Sequence, residues 1–322
     1  MVSFQTTDIN NLQTFLSQYA LGDADRIDTT YTARTHHTFR FQLISPGSTT
    51  PSLFLLVAVE PAAEERLLFC SSLIEYIHSQ GLPVTPCLHN KKNSYISLFG
   101  DSPALLFKLP DGQPPSPRKI TSCQEIGAFL GKMHAKSAYF SPTYGNPRSL
   151  VWLNLAAEEL LPQLSTGDAA LLSEQLARFK HTIERDPDLP SGPLIGSLFK
   201  DQLFFKEDSL QAVTGFYFCC TDWLLLDVAQ AVNEWCCDEQ GELDQQLTKA
   251  LLCAYHAERP FTPCENQYWQ DMLCFSATRF WVSRLLTSLI TDQVDSPSVK
   301  HAPEEYKQKL RRRITGYCPL PS

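Results

Sequence analysis

The sequence lacks an excess of positive charge and lacks long apolar runs. With 27 Lys and Arg residues against 35 Asp and Glu residues, the 322-residue chain has a formal net charge of −8. Such a chain repels nucleic-acid backbones and anionic lipid surfaces, which are bound mainly by clustered Lys and Arg. Apolar runs are also cut short by acids, as at residues 223–226 between Asp222 and Asp227. We therefore expect no nucleic-acid partner and no membrane partner.

A secretory leader and a metal-binding cysteine pattern are missing as well. Residues 1–11 contain no basic patch followed by an apolar stretch, which disfavours export. The adjacent pairs at 219–220 and 236–237 have none of the intervening residues that a metal knuckle needs. Cys253 and His256 have no second matching pair. The eleven cysteines are therefore expected to be reduced, mostly small buried side chains in a cytoplasmic protein.

The chain does contain enough apolar residues for a large core, since 43% are hydrophobic and 19% are charged. The first hundred residues alternate between helical and extended patterns. Apolar spacing predicts helices and β-branched or aromatic runs predict strands. The predicted helices are 10–19 and 64–79, and the predicted strands are 38–43, 53–59, 95–99 and 105–109.

From residue 121 onward the pattern is mostly helical. The Pro- and Ser-rich residues 113–118 are the predicted linker between the two parts. A mixed sheet followed by a helical region predicts an α+β architecture, with a β-rich lobe at 1–109 and a helical lobe at 110–322. Further helices are predicted at 166–185, 223–236, 243–256 and 266–290, with short strands at 203–205 and 212–216.

Five segments carry a family resemblance. They are CQEIGAFLGKMHAKS at 123–137, SLFKDQLFF at 197–205, VTGFYF at 213–218, DWLLLDVAQAVNEWC at 222–236 and RFWVSRLL at 279–286. In this order and spacing the chain resembles bacterial homoserine kinases of the protein-kinase-like superfamily, which includes aminoglycoside phosphotransferases and choline kinases. The resemblance implies a two-lobed protein-kinase-like fold. It also implies ATP and magnesium as the cofactors of an active member.

The family's catalytic loop, of the form H-x-D-x-x-x-x-N, corresponds to residues 195–202. Ile195 stands for the His, Ser197 for the catalytic Asp and Gln202 for the metal-binding Asn, while Asp201 matches a family Asp. A serine hydroxyl does not accept a proton near neutral pH as a carboxylate does. The resemblance thus predicts a loop without its proton acceptor.

The second metal-ligand position of the family is also altered. Where the family has Ile-Asp-Phe, this chain has Thr214, Gly215 and Phe216. Magnesium requires hard oxygen ligands, and glycine has no side-chain oxygen. Gln202 offers only a neutral carbonyl. We therefore expect no metal ion at Gln202 and Gly215.

The phosphate-binding loop of the small lobe is expected at Ala33, Arg34, Thr35 and His36, where the family has a Gly followed by Asn-rich residues. Close approach of the backbone to phosphate favours glycine because it has no Cβ. Ala33 and its bulky neighbours would obstruct that approach. The resemblance therefore predicts a degenerate phosphate loop.

Other charged residues keep or change their family role. Asp227 matches a family Asp, and the resemblance implies a structural role in accepting hydrogen bonds from catalytic-loop amides. Arg279 and Arg284 lie on different faces of one predicted helix. Either could contact an anionic substrate group, although pairing at the surface or core edge is favoured. The basic tail from Lys307 to Arg313 is predicted to be a solvated helix face.

Together these replacements predict a homoserine kinase-like pseudokinase that needs no cofactor and acts in binding or regulation. One alternative is an active phosphotransferase for a homoserine-like substrate, using ATP and magnesium and rescued by Asp201, Asp208 or Asp222. In that case Asp222 competes with a simpler role at the start of a helix. Another alternative is that the large lobe binds an amino-acid-like small molecule or a protein partner.

Overall fold

The computed structural model describes residues 6–21, 27–31, 38–43, 52–112, 119–293 and 302–321. The N-terminal part is an antiparallel sheet in the order β1-β2-β3-β5-β4. The predicted hairpin is confirmed as β2 paired with β3, with Phe41 opposite Phe54. The strands are β1 Ile27–Tyr31, β2 Thr38–Leu43, β3 Ser52–Ala58, β4 Ser97–Phe99 and β5 Ser102–Lys108.

Two helices cover the two faces of this sheet, because β3 is apolar on both sides. Helix α2 is Glu64–Ser79, as predicted, and helix α1 is Thr6–Leu16, which lies earlier in the chain than the predicted 10–19. Leu56 of β3 belongs to the core cluster that includes Leu12 of α1. Leu55 belongs to the larger cluster that includes Leu67 of α2. Alternate residues of a strand thus connect the sheet to two separate apolar layers.

The C-terminal part is mostly helical, as predicted. Two short antiparallel two-stranded sheets, β6 with β9 and β7 with β8, lie among its helices, and only the second is a hairpin. The strands are β6 Ser191–Leu194, β7 Leu203–Lys206, β8 Ser209–Val213 and β9 Cys220–Trp223. The helices are α3 Ile120–Lys136, α4 Leu150–Leu160, α5 Thr166–Glu184, α6 Leu225–Trp235, α7 Gln245–Glu258, α8 Pro263–Gln293 and α9 Pro303–Thr315.

Two sequence predictions for the helical part need correction. The first is Asp222, which lies on β9 rather than at the start of a helix, since α6 begins at Leu225. The second is the basic tail. In α9, Lys309 is 2% exposed and Arg313 is 3% exposed, so the prediction is wrong for these two residues, whereas Arg311 and Arg312 are exposed as predicted. Lys309 pairs with Glu234 and Glu305, which offsets the cost of burying its charge.

The cysteines follow the prediction. All eleven are free thiols, and eight of them are buried. Burial raises the pKa of Cys220 to about 12, because the thiolate form is poorly solvated there. Within the described ranges, no group of three His, Cys, Asp or Glu side chains could hold a metal ion. No helix in those ranges is long and apolar enough to cross a bilayer.

The sheet ends at Lys108 and α3 begins at Ile120. The predicted linker 113–118 lies outside the described residues. The division at residue 109 stays a prediction, although the last strand of the sheet and the first helix of the helical part flank it.

Candidate functional site

Residues 195–202 form a loop between β6 and β7, held by Asp227 from the first turn of α6. The Asp227 carboxylate accepts hydrogen bonds from Ile195 N at 2.7 Å and from Gly196 N at 2.9 Å. These are the bonds to the loop amides that the resemblance implies. His134 Nε2 lies 3.5 Å from the same carboxylate. Because Asp227 is only 3% exposed, these charge-assisted bonds restrain the loop strongly.

The loop turns sharply at Gly196, where φ is +76°. A Cβ at this position would lie 2.4 Å from the carbonyl oxygen of Phe218. Only glycine therefore allows the loop backbone to approach residues 216–218 this closely. The loop is also tied to α6, since Trp235 Nε1 donates to Leu198 O at 2.8 Å.

Three residues singled out from the sequence come together beside this loop. They are Ser197, Gln202 and Gly215. Gln202 Nε2 donates a weak 3.4 Å hydrogen bond to Ser197 Oγ. Gly215 has φ of +93°, and a Cβ there would lie 2.4 Å from Cδ of Gln202. The Gln202 side chain thus occupies the space that any side chain at residue 215 would need.

The donor set of this trio does not fit a magnesium ion. Gln202 Oε1 accepts a 2.7 Å hydrogen bond from Phe199 N. A backbone N–H can only donate, so the atom facing it must be the carbonyl oxygen of the amide. The trio therefore offers a hydroxyl, an amide oxygen already hydrogen-bonded within the loop, and no carboxylate. Magnesium is held in proteins chiefly by carboxylates and phosphates.

Two of the three acidic residues proposed as rescuers have partners away from Ser197. Asp208 is exposed and pairs with Lys119 at 3.0 Å. Asp222 accepts hydrogen bonds from Asn146 Nδ2 and Trp223 N, each at 2.7 Å. Asp201 lies in the loop itself, and its backbone carbonyl accepts from Arg40 Nη2 of β2 at 2.8 Å. That last bond connects the sheet to the loop.

A group of arginines beside the loop was largely missed at the sequence level. Arg279 Nη2 donates to Gly196 O at 3.0 Å. Arg148 Nη1 donates to Ser283 Oγ at 2.8 Å, one turn along α8 from Arg279. The expected ion pairing is correct for Arg284, which lies 2.6 Å from Glu305. It is wrong for Arg279, which has no carboxylate within 4.0 Å among the described residues. In the sequence, only the segment RFWVSRLL pointed to these arginines.

The predicted phosphate loop, Ala33 to His36, lies outside the described residues. The tryptophans of the large lobe divide between its core and the region of the loop. Trp235 and Trp281 are each 1% exposed and belong to the core. Trp152 and Trp223, by contrast, are half-buried near the loop.

Known proteins resemble this chain over most of its length. A family model described as "Phosphotransferase enzyme family" matches residues 31–261. The homoserine kinase of Janthinobacterium sp. (strain Marseille) is 32% identical over 323 residues, covering 99% of this chain and 98% of that protein. The homoserine kinase of Pseudomonas aeruginosa (strain LESB58) is 32% identical over 83% of this chain and 84% of that protein.

Solved structures show the same fold at low identity. Amicoumacin kinase hAmiN, in complex with AMP-PNP, Ca2+ and Ami, superposes with a TM-score of 0.70 at 12% identity, covering 95% of this chain and 92% of that one. Spectinomycin phosphotransferase APH(9)-Ia superposes with a TM-score of 0.62 at 10% identity, covering 95% and 97%. The fold is thus the α+β, two-lobed protein-kinase-like fold, with a small β-rich part and a large helical part. With the family model and the curated relatives in agreement, the chain belongs to the phosphotransferase enzyme family.

Proposed function

We propose that this protein is a homoserine kinase-like pseudokinase, which binds a small ligand in its large lobe and does not transfer phosphate from ATP. The observation that carries the proposal is the position of Gln202. Its carbonyl oxygen bonds to Phe199 N, its amide nitrogen faces Ser197, and its side chain fills the space above Gly215.

The chemistry of phosphoryl transfer supports this proposal. A kinase of this fold orients the attacking hydroxyl with a carboxylate and holds metal ions against the phosphates. Ser197 is a neutral hydroxyl and is 2% exposed. Neither it nor Gln202 carries a negative charge for a metal ion or for a proton. Ser197 and Gln202 therefore supply neither the base nor the anionic metal ligand that a kinase of this fold uses at their positions.

The shape of the loop is nonetheless maintained. Asp227 holds the amides of Ile195 and Gly196, and Arg279 holds the carbonyl of Gly196. Each of these bonds restrains backbone groups at the edge of the large lobe. A retained scaffold with neutral side chains at 197 and 202 favours binding, of an amino-acid-like small molecule or a protein partner. The free thiols favour a reducing compartment such as the cytoplasm.

The alternative is an active phosphotransferase that uses ATP and magnesium. Asp208 and Asp222 support it poorly, because Lys119 pairs with the first and Asn146 holds the second. Asp201 is its remaining acidic candidate, four residues after Ser197 in the same loop. Its replacement by Asn is therefore the variant that separates the two hypotheses.

Phosphoryl transfer and nucleotide binding test the proposal directly. ADP release from Mg-ATP should be measured with homoserine present, and ATP affinity should be measured calorimetrically with and without magnesium. We expect no turnover above that of Ser197→Ala and no increase in ATP affinity from magnesium. The homoserine kinase of P. aeruginosa serves as the active control. Magnesium-dependent transfer to homoserine that Asp201→Asn abolishes would establish the alternative instead.

A further inference from the structure

Three arginines from distant parts of the chain lie in the region of the loop. Arg279 comes from α8 and bonds to Gly196 O. Arg148 precedes α4 and bonds to Ser283, the residue one turn beyond Arg279 on α8. Its guanidinium also lies 5.0 Å from the ring centre of Phe218, whose carbonyl faces Gly196. Arg66 comes from α2, which packs against residues 216–218. We call these residues the arginine cluster: Arg66, Arg148 and Arg279.

The cluster is unusual because its charges have no counter-ion among the residues that the structure describes. Arg66 is 9% exposed and Arg279 is 4% exposed, and the Nε atom of each is buried without a hydrogen-bond partner. Within the described part of the chain, no carboxylate oxygen lies within 4.0 Å of any cluster guanidinium.

Other arginines of the same lobe are paired, which makes the contrast clear. Arg178 lies 2.6 Å from Asp271, Arg259 lies 2.9 Å from Glu265, and Arg284 lies 2.6 Å from Glu305. Buried charges are normally paired in this way because an unpaired one is costly.

The three cations also repel one another. Burial, and then the charges of Arg279 and Arg66, lower the pKa of Arg148 to about 10. Such mutual repulsion destabilises the folded protein. A negatively charged ligand would remove it, so the cluster has the electrostatics of an anion site.

The number of unpaired cations suggests the charge of the ligand. A single carboxylate would leave two of the three guanidiniums uncompensated, whereas a dianion compensates two and matches the fork-like donors of arginine. Solvent reaches the cluster at Arg148 and Trp152, which are half-buried, and the Arg148 guanidinium lies 5.6 Å from the Trp152 ring centre. The nearby acid, Asp222, is held by Asn146 and Trp223 N.

We propose that the arginine cluster binds a small dianion, a phosphomonoester or a dicarboxylate, without a metal ion. This inference names the ligand class of the large-lobe site and rests on the proposed function, in which that site binds without phosphoryl transfer. The guanidiniums would supply the positive charge that magnesium supplies in an active kinase.

Intrinsic fluorescence and thermal unfolding test the cluster, because Trp152 lies next to Arg148. Inorganic phosphate, malonate and acetate should be titrated at constant ionic strength with EDTA present. We expect saturable binding of phosphate or malonate, with acetate at least tenfold weaker. Arg279→Gln and Arg148→Gln should each weaken the dianion at least tenfold. Arg185→Gln, which removes an exposed cation from the end of α5, should leave the affinity unchanged.

The two dianions separate the two ligand classes, since preference for phosphate indicates a phosphomonoester and preference for malonate indicates a dicarboxylate. If Arg279→Gln fails to fold, Arg148→Gln decides, because Arg148 is half-buried and its side-chain bond is to a single hydroxyl. Absence of saturation in the wild-type protein, equal binding of acetate, or unchanged affinity in Arg148→Gln would overturn the inference. These titrations do not measure phosphoryl transfer. A failure of the arginine-cluster inference is therefore distinguishable from a failure of the proposed function, which the turnover assay tests.

Discussion

At the scale of single residues, the side chains at 202 and 215 depend on each other. Gln202 carries one more methylene than the Asn expected at its position, and Cδ of the longer chain lies over Gly215. Glycine at 215 leaves room for that atom and tolerates φ of +93°. Glutamine at 202 and glycine at 215 therefore fit together, because the glutamine side chain fills the space that glycine leaves.

This dependence predicts non-additive stability changes. Gly215→Asp alone should destabilise the protein by about 3 kcal/mol, because its Cβ overlaps Gln202 Cδ. Adding Gln202→Asn should recover about 1 kcal/mol or more, since the shorter side chain vacates that space. Urea unfolding of both single variants and the double variant measures the coupling. Gly145→Asp, where a Cβ meets nothing within 4 Å, should add independently to Gln202→Asn. Additivity of the first pair would contradict the coupling.

At the scale of elements, the contact between α3 and α7 positions the loop indirectly. Gly127 and Gly131 of α3 face the backbone of α7, and their lack of side chains brings the helices close. This approach allows His134 Nδ1 to lie 2.8 Å from the hydroxyl of Tyr255. His134 in turn faces Asp227, which holds the loop. The packing of α3 on α7 thus positions the buried His134, which lies beside the aspartate that holds the loop.

Adding a side chain at the α3–α7 contact should force the two helices apart and destabilise the protein. A Cβ at Gly127 would lie 2.1 Å from the carbonyl oxygen of Leu251, so Gly127→Ala must separate the helices. We expect a loss of about 3 kcal/mol in the free energy of unfolding, measured by chemical denaturation. Gly167→Ala on α5 is the matched control, because nothing lies within 4 Å of its Cβ. There, the better helix propensity of alanine should be neutral or stabilising by up to about 1 kcal/mol. Equal effects of the two substitutions would refute the packing argument.

At the scale of the whole molecule, α9 fastens the end of the chain to the large lobe. Arg313 donates to Asn233 Oδ1 on α6 at 2.9 Å, and Arg284 of α8 pairs with Glu305 of α9. Lys309 lies between Glu234 and Glu305. The tail that was predicted to be a solvated basic face is therefore a structural helix, and ion pairs connect it to α6 and α8.

These ion pairs predict a loss of stability in acid. Burial favours the neutral form of Glu305, but Lys309 and Arg284 outweigh it and lower the pKa of Glu305 to about 2. Because this is below the ordinary value of 4.5, the contribution is complete above about pH 4.5 and is lost as pH falls toward 2. Glu305→Gln should flatten this part of the curve of unfolding free energy against pH, by about 1 kcal/mol after allowance for solvent screening.

The pKa of Glu234, in the same network, shifts in the opposite direction. Burial raises its pKa, so its contribution is present at low pH and declines as pH rises through the raised value. The exposed Glu239 provides the control, and Glu239→Gln should leave the acid part of the curve unchanged. An acid limb equally steep in the wild type and in Glu305→Gln would show that α9 is held by its apolar contacts alone.

The sequence by itself determined the elements and the composition of the loop. The spacing of apolar residues predicted α2 with its observed bounds and the β2–β3 hairpin, because periodicity is a local property of the chain. The order of the motifs identified the family. The residue types at 197, 202 and 215 predicted a loop with neutral groups at three family positions, since a hydroxyl, an amide and a hydrogen atom have the same chemistry in any fold.

Tertiary structure alone decided how these residues are used. No local pattern indicates that Gln202 fills the space over Gly215, or that the charges of Arg279 and Arg66 act on Arg148. Nor does composition separate a solvated lysine from Lys309, which is buried between two glutamates. The physical reason is that packing space and electrostatic environment depend on atoms distant in the sequence, which only the folded chain brings within a few ångströms of one another.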